Sequence, residues 1–287
     1  MKTRIISGIV MGIIVAVVLA AGFLWNPLII TAAIAVIAAV AIYELLHNAA
    51  GIKNKAAWIG ACVYTVLAVF TLNSTLSLKL SCLLPADSSP DSFYNGFTSY
   101  GIVIILSIIY FIYAVFAVLK SHKDFGLGQI AALCGLPLPY AFAFSCLGGV
   151  INHTDGIYYL LLLLNFSSVC DMGAYFTGSF LGKHKLCPGI SPKKTVEGAV
   201  GGVAASIIVT LIITLCFNKA ILLPLILTVP LCILGMIGDL FASAIKRSVG
   251  IKDYGKLIPG HGGILDRVDS IIMIVPLMFI MIKFGVI

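Results

Sequence analysis

The chain has 287 residues, 61% of them hydrophobic and 10% charged, with a formal net charge of +7. A soluble domain carries roughly 25% charged residues, so 18 basic and 11 acidic side chains exclude a cytosolic globular enzyme, a disordered protein and a nucleic-acid binder. What remains is an integral membrane protein whose surplus of Lys and Arg is of the kind that fixes orientation.

Nine apolar stretches follow one another: Ile5 to Leu24, Leu28 to Leu46, Ala56 to Leu72, Gly101 to Leu119, Leu127 to Val150, Gly156 to Leu181, Ala199 to Phe217, Ala220 to Ala244 and Val268 to Ile287. Lipid offers no partners to backbone amides, and the apolarity is unbroken rather than alternating, so each stretch is predicted to be helical and a closed barrel is excluded. The fold class is an all-α polytopic bundle of about nine helices. The first stretch reads as a span, with a cleaved signal peptide as its alternative, because the run is long for a signal sequence. Segment 73–100, which holds Cys82, reads as a plain connector. Six of the eight Cys lie inside apolar runs without metal-ligand spacing, which suits small buried hydrophobes. Gly8/Gly12, Gly178/Gly182 and Gly198/Gly202 have GxxxG spacing, a weak packing signal among 28 glycines.

With the amino terminus on the cytoplasmic side, 15 of the 18 basic residues fall inside, and only Lys79, Lys219 and Lys283 fall outside. Residues 1–150 then form an amino-terminal set of helices without a motif, and residues 151–287 a catalytic region with two charged inner loops. The segments 171–198 and 239–269 hold 15 of the 29 charged side chains. Asp171 and Asp239 stand within otherwise apolar helices, where a carboxylate costs roughly 2.5 to 3.5 kcal/mol and needs compensation. If its helix continues, Asp239, Ser243 and Lys246 share one face, with Arg247 beside them. The Gly260-His261-Gly262-Gly263 turn brings backbone amides within reach of a phosphate and delivers Asp266 and Asp269 at the start of the last helix. Lys193 and Lys194 add cations on the first loop, where Thr195 marks a helix entry. Carboxylates, cations and glycine turns together point to phosphoryl or nucleotidyl transfer at the membrane face.

The run Ser243-Ala244-Ile245-Lys246-Arg247, then Lys252-Asp253, then Pro259-Gly260-His261-Gly262-Gly263-Ile264-Leu265-Asp266-Arg267-Val268-Asp269 resembles the signature of the phosphatidate cytidylyltransferases, or CDP-diacylglycerol synthases. The block Asp171-Met172-Gly173-Ala174-Tyr175, with Lys183 and Ser191-Pro192-Lys193-Lys194-Thr195-Val196-Glu197-Gly198, is similar to a second block of that family, departing from it at Val196 and Gly189. The resemblance implies transfer of CMP from CTP to phosphatidic acid, giving CDP-diacylglycerol and pyrophosphate, with magnesium. It implies metal binding by Asp239 and Asp266, catalysis by these with Lys246 and Arg247, and substrate contacts from Lys183, Ser191, Lys193, Lys194, Ser243, Gly260, His261, Gly262, Gly263 and Arg267. Asp171, Glu197 and Asp269 fit supporting positions around them. A second, monovalent cation, the role of His261 and a homodimer are left open.

Two other functions compete. A CTP-dependent membrane kinase acting on a polyprenol-type alcohol shares a basic, metal-dependent inner face but requires a base for its neutral nucleophile. A transporter using Asp171 and Asp239 requires acidic groups reachable from both sides and an internal repeat; the sequence has no repeat, and its charges cluster on one expected face.

Overall fold

A computed structural model describes residues 2–73, 92–121 and 125–287, with side chains described from residue 6 and, in the fourth helix, from residue 101. Among these residues nine helical rods follow in order: α1 Lys2–Leu24; α2 Leu28–Tyr43, continued by a π-helical turn Glu44–Ala49; α3 Lys55–Asn73; α4 Ser92–Lys120; α5 Leu127–Gly135 running into α6 Pro137–Ile151; α7 Gly156–Leu164, joined through a π turn Asn165–Val169 to α8 Cys170–Leu181; α9 Val196–Cys216; α10 Leu222–Ser248; and α11 Leu265–Lys283. Eight of the rods are long and apolar enough to cross a membrane. The ninth, α11, opens with Asp266, Arg267 and Asp269 and closes with Lys283. Pro230 and Pro276 sit inside α10 and α11, where each removes one intrahelical N–H donor.

Two expectations change. The connector expected over 73–100 is helical from Ser92, where no proline stands before Lys120 to stop it; residues 74–91, with Cys82, lie outside the described residues. Between α8 and α9 the chain forms a short antiparallel ribbon, β1 Lys185–Cys187 with β2 Ser191–Thr195, in which Lys185 faces Thr195 and Cys187 faces Ser191. The loop's backbone groups thereby find partners that side chains do not supply.

The chain divides into two compact units, one of Met1–Asn152 with Asp253–Asp266, the other of His153–Lys252 with Arg267–Ile287. In the first unit the small residues Ala35, Ala38, Ala41, Ala57, Ala61 and Ala68 are buried and let α2 and α3 pack closely. Polar groups gather at its two ends. Asn73 Nδ2 donates to the Ser145 carbonyl at 2.9 Å and Asn152 Nδ2 to Thr31 Oγ1 at 3.1 Å, while Ser7, Glu44 and Asn48 meet the returning segment 253–266. In the second unit Asn165, on the π turn, donates to the Ser206 carbonyl at 3.0 Å and to Thr210 Oγ1 at 2.9 Å, and Thr210 pairs with Thr228 at 2.8 Å. These bonds tie α9 and α10 to the π turn where apolar surface gives no direction.

Among the described residues the cysteines are unpaired thiols. Cys146, Cys170 and Cys232 are buried, Cys62, Cys134 and Cys187 half-buried, and Cys216 exposed.

Candidate active site

In the second unit, α8 and α9 approach closely because glycines remove the side chains between them. A Cβ on Gly198 would lie 2.7 Å from the Ala174 carbonyl oxygen, and one on Gly202 2.5 Å from that of Cys170. This is close backbone packing of the small-residue kind, and it gives the Gly198/Gly202 spacing a definite role. Thr195 caps α9, its Oγ1 accepting the Gly198 N–H at 3.1 Å. Val196 donates its own N–H to the His184 carbonyl at 3.0 Å. The helix entry is thus closed from within the chain. Glu197 fixes the turn before the ribbon, its carboxylate accepting the backbone N–H of Lys183 at 3.1 Å and of His184 at 3.2 Å and meeting His184 Nδ1.

The ribbon folds over a cavity of about 530 Å³ between α8, α9 and α10. Asp171 and Tyr175 enter it from α8, Lys185, Lys193 and Lys194 from the ribbon, and Asp239 from α10. Lys194 Nζ is shielded from solvent and forms an ion pair with Asp239 Oδ2 at 2.6 Å. Two carboxylates and three ammonium groups on one wall explain how Asp171 and Asp239 are tolerated inside apolar helices. Tyr175 is 71% exposed although it lines the cavity, so the cavity opens along the outer face of α8.

Lys185 was not among the expected site residues, although it stands in the same basic loop. Ser191 and the Lys183 side chain flank the cavity on the ribbon and its approach and are absent from its described wall. Farther along, α10 does continue past Asp239, as the shared face of Asp239, Ser243 and Lys246 requires. Gly235 and Gly238 leave room for α11: a Cβ on Gly238 would lie 3.0 Å from the Asp269 carbonyl oxygen. The buried Lys246 lies 3.9 Å from Asp269 Oδ2. Arg247 is exposed and bonds the Ile251 carbonyl at 3.4 Å, and Arg267 is exposed at the start of α11.

The remaining expected residues belong to the first unit. Gly260 and Gly262 adopt φ of 78° and 87°, the left-handed conformations that favour glycine. Ile258 N–H bonds the Gly262 carbonyl and His261 N–H the Ile258 carbonyl, each at 2.9 Å. Asp266 Oδ2 accepts the N–H of Gly263 at 3.0 Å and of Tyr254 at 2.8 Å. Two amides of the glycine turn are therefore committed inside the loop. Ser7 Oγ donates to the Pro259 carbonyl at 2.9 Å and also lies 2.9 Å from His261 Nδ1, tying α1 to the glycine turn. Glu44 escaped the sequence reading altogether. Buried at the end of α2, it accepts the N–H groups of Ile264 at 3.1 Å and Leu265 at 2.9 Å.

Magnesium takes oxygen ligands and commonly shares one or two carboxylates with substrate phosphates. Asp171 and Asp239 on one cavity wall fit that habit. Among the described residues no three His, Cys, Asp or Glu side chains cluster as an all-protein cage.

The sequence pattern of a family described as "Cytidylyltransferase family" matches residues 2–285. A Staphylococcus saprophyticus protein named phosphatidate cytidylyltransferase is 47% identical over 133 residues, 46% of this chain and 51% of its own length. A protein of that name from Staphylococcus haemolyticus is 39% identical over 182 residues, covering 63% of this chain and 68% of its own. A third, from Staphylococcus epidermidis, is 43% identical over 133 residues, again about half of each chain.

Proposed function

We propose, because this chain belongs to the cytidylyltransferase family, that it transfers CMP from CTP to phosphatidic acid, releasing pyrophosphate and forming CDP-diacylglycerol. The single observation that carries the reading is the cavity that gathers Asp171, Asp239, Lys185, Lys193 and Lys194 beneath a ribbon. Such a wall suits two anions that must meet. A phosphatidate oxygen attacks the α-phosphorus of CTP, the bond from that phosphorus to the β-phosphate bridge oxygen breaks, and pyrophosphate leaves with the electron pair. The nucleophile is ionised at neutral pH, so the work is positioning and charge neutralisation. The names of the relatives favour this transfer over the lipid-kinase alternative.

Lys193 and Lys194 neutralise the triphosphate and the lipid phosphate. Lys194 and Asp239 balance each other until an anionic substrate offers the ammonium a stronger partner. Asp239, with Asp171 on the same wall, and Asp266 are the carboxylates that would hold magnesium, and a metal there would supply neutralisation of the charge on the leaving group. Lys246, Arg247 and Arg267 supply further positive charge near the substrates. The lipid reaches the cavity sideways along α8, past Tyr175. The charged loops face the cytoplasm, as their concentration of Lys and Arg favours.

Asp239→Ala tests the assignment. It should lower kcat/KM for CTP by about 100-fold or more, as loss of a group stabilising transferred charge does, while the protein remains folded in detergent. Turnover within threefold of wild type contradicts the role given to Asp239.

A further inference from the structure

The amino-terminal half carries no motif, yet it supplies the groups that hold segment 253–266. Glu44, 2% exposed, is the first residue of the π turn Glu44–Ala49 and gives one carboxylate oxygen each to the N–H groups of Ile264 and Leu265. Those amides open α11, where the helix has no internal acceptors and where a negative charge is favoured. Leu265 is fully buried, so water does not replace Glu44 there. Four residues later the same turn places Asn48, whose Nδ2 donates to the Tyr254 carbonyl at 2.8 Å. Tyr254 N–H in turn bonds Asp266 at 2.8 Å. The fit around Glu44 is tight: a Cβ on either Gly255 or Gly263 would overlap its carboxylate.

We propose that Glu44 is a positioning residue, a buried carboxylate that clamps the loop and through it sets the carboxylate of Asp266. The proposal rests on the transfer reaction proposed above for its kinetic consequence, and on geometry alone for the clamp. A purely stabilising carboxylate would need neither the two-oxygen division nor the enclosing pair of glycines. Glu44 acts on the loop backbone and touches no substrate.

Two measurements on the full-length protein test it. In the first, Glu44→Gln keeps one carbonyl acceptor and loses the second, and should lower kcat about tenfold while KM for CTP stays within about twofold, because Asp266 is misplaced rather than substrate binding lost. Gly255→Ala should cost about tenfold alone but less than about twofold in a Glu44→Ala background, where the overlapping atoms are gone; contacting residues show such non-additivity. In the second, limited trypsin cleavage after Lys256 should be faster in Glu44→Gln and in Gly255→Ala than in wild type, with other sites unchanged. Wild-type kcat and unchanged cleavage in Glu44→Gln overturn the proposal, as do losses that simply multiply in the double variant. A fall in kcat that tracks loss of folded protein, with cleavage rising along the whole chain, overturns it too. If wild-type protein forms no CDP-diacylglycerol, the transfer reading fails, and the Lys256 cleavage arm still judges the clamp by itself.

Discussion

The cavity under the ribbon and the loop 253–266 both join carboxylates to donors, but they do so in opposite ways. In the cavity, charge meets charge between side chains: Lys194 sits against Asp239, with Lys185, Lys193 and Asp171 on the same wall. In the loop, carboxylates meet backbone: Asp266 takes the amides of Tyr254 and Gly263, and Glu44 those of Ile264 and Leu265. Flexible ammonium groups exchange partners readily and suit a site that admits a polyanion. Buried amides cannot be left unpaired without cost, so the loop is built to keep one shape. Under the proposed chemistry, the first region handles ligands and the second holds a carboxylate in place.

That contrast is sharpened most by replacing Lys193 and Lys194 together with Ala. The double variant should raise the apparent KM for CTP or phosphatidic acid about 10- to 100-fold, as loss of charge-assisted contacts to phosphate does, with no change in folding. Steady-state kinetics on both substrates check this, and unchanged constants would reduce both lysines to determinants of topology. A smaller effect is expected in the loop. His261→Ala breaks the contact between α1 and the imidazole, and Ser7→Ala breaks that contact and the bond to the Pro259 carbonyl; each should lower kcat about two- to fivefold, with the double variant no worse than Ser7→Ala alone. Kinetics of the three variants decide the matter. A loss beyond about 100-fold in His261→Ala alone would instead make the imidazole a participant in proton transfer.

Much of the cavity was legible in the sequence, for physical reasons. A carboxylate within an apolar helix is expensive, so Asp171 and Asp239 announced a partner, and the densest basic loop, with Lys193 and Lys194, supplied it. The ribbon was not legible: Lys185 to Thr195 reads as a turn-rich loop, and strand pairing emerges only once both ends are anchored, by Glu197 on one side and the Thr195 cap on the other. The glycines of α9 looked like background in a glycine-rich chain, and only the neighbouring carbonyls on α8 show why a side chain is excluded. Glu44, inside the stretch Leu28 to Leu46, carried the same signal of a carboxylate in an apolar helix, but no motif stood near it to direct attention there and its partners lie 220 and 221 residues away. The glycine turn was expected to offer amides to phosphate, and its sequence gave no hint that Asp266 takes the amide of Gly263.

The product of the reaction tests the proposed transfer most directly. Purified full-length protein incubated with magnesium, phosphatidic acid and CTP labelled at its α-phosphate should place the label in CDP-diacylglycerol and release one pyrophosphate for each lipid formed. Label that stays in the water-soluble fraction as CDP, with a newly phosphorylated lipid, or no transfer to phosphatidic acid at all, would contradict it.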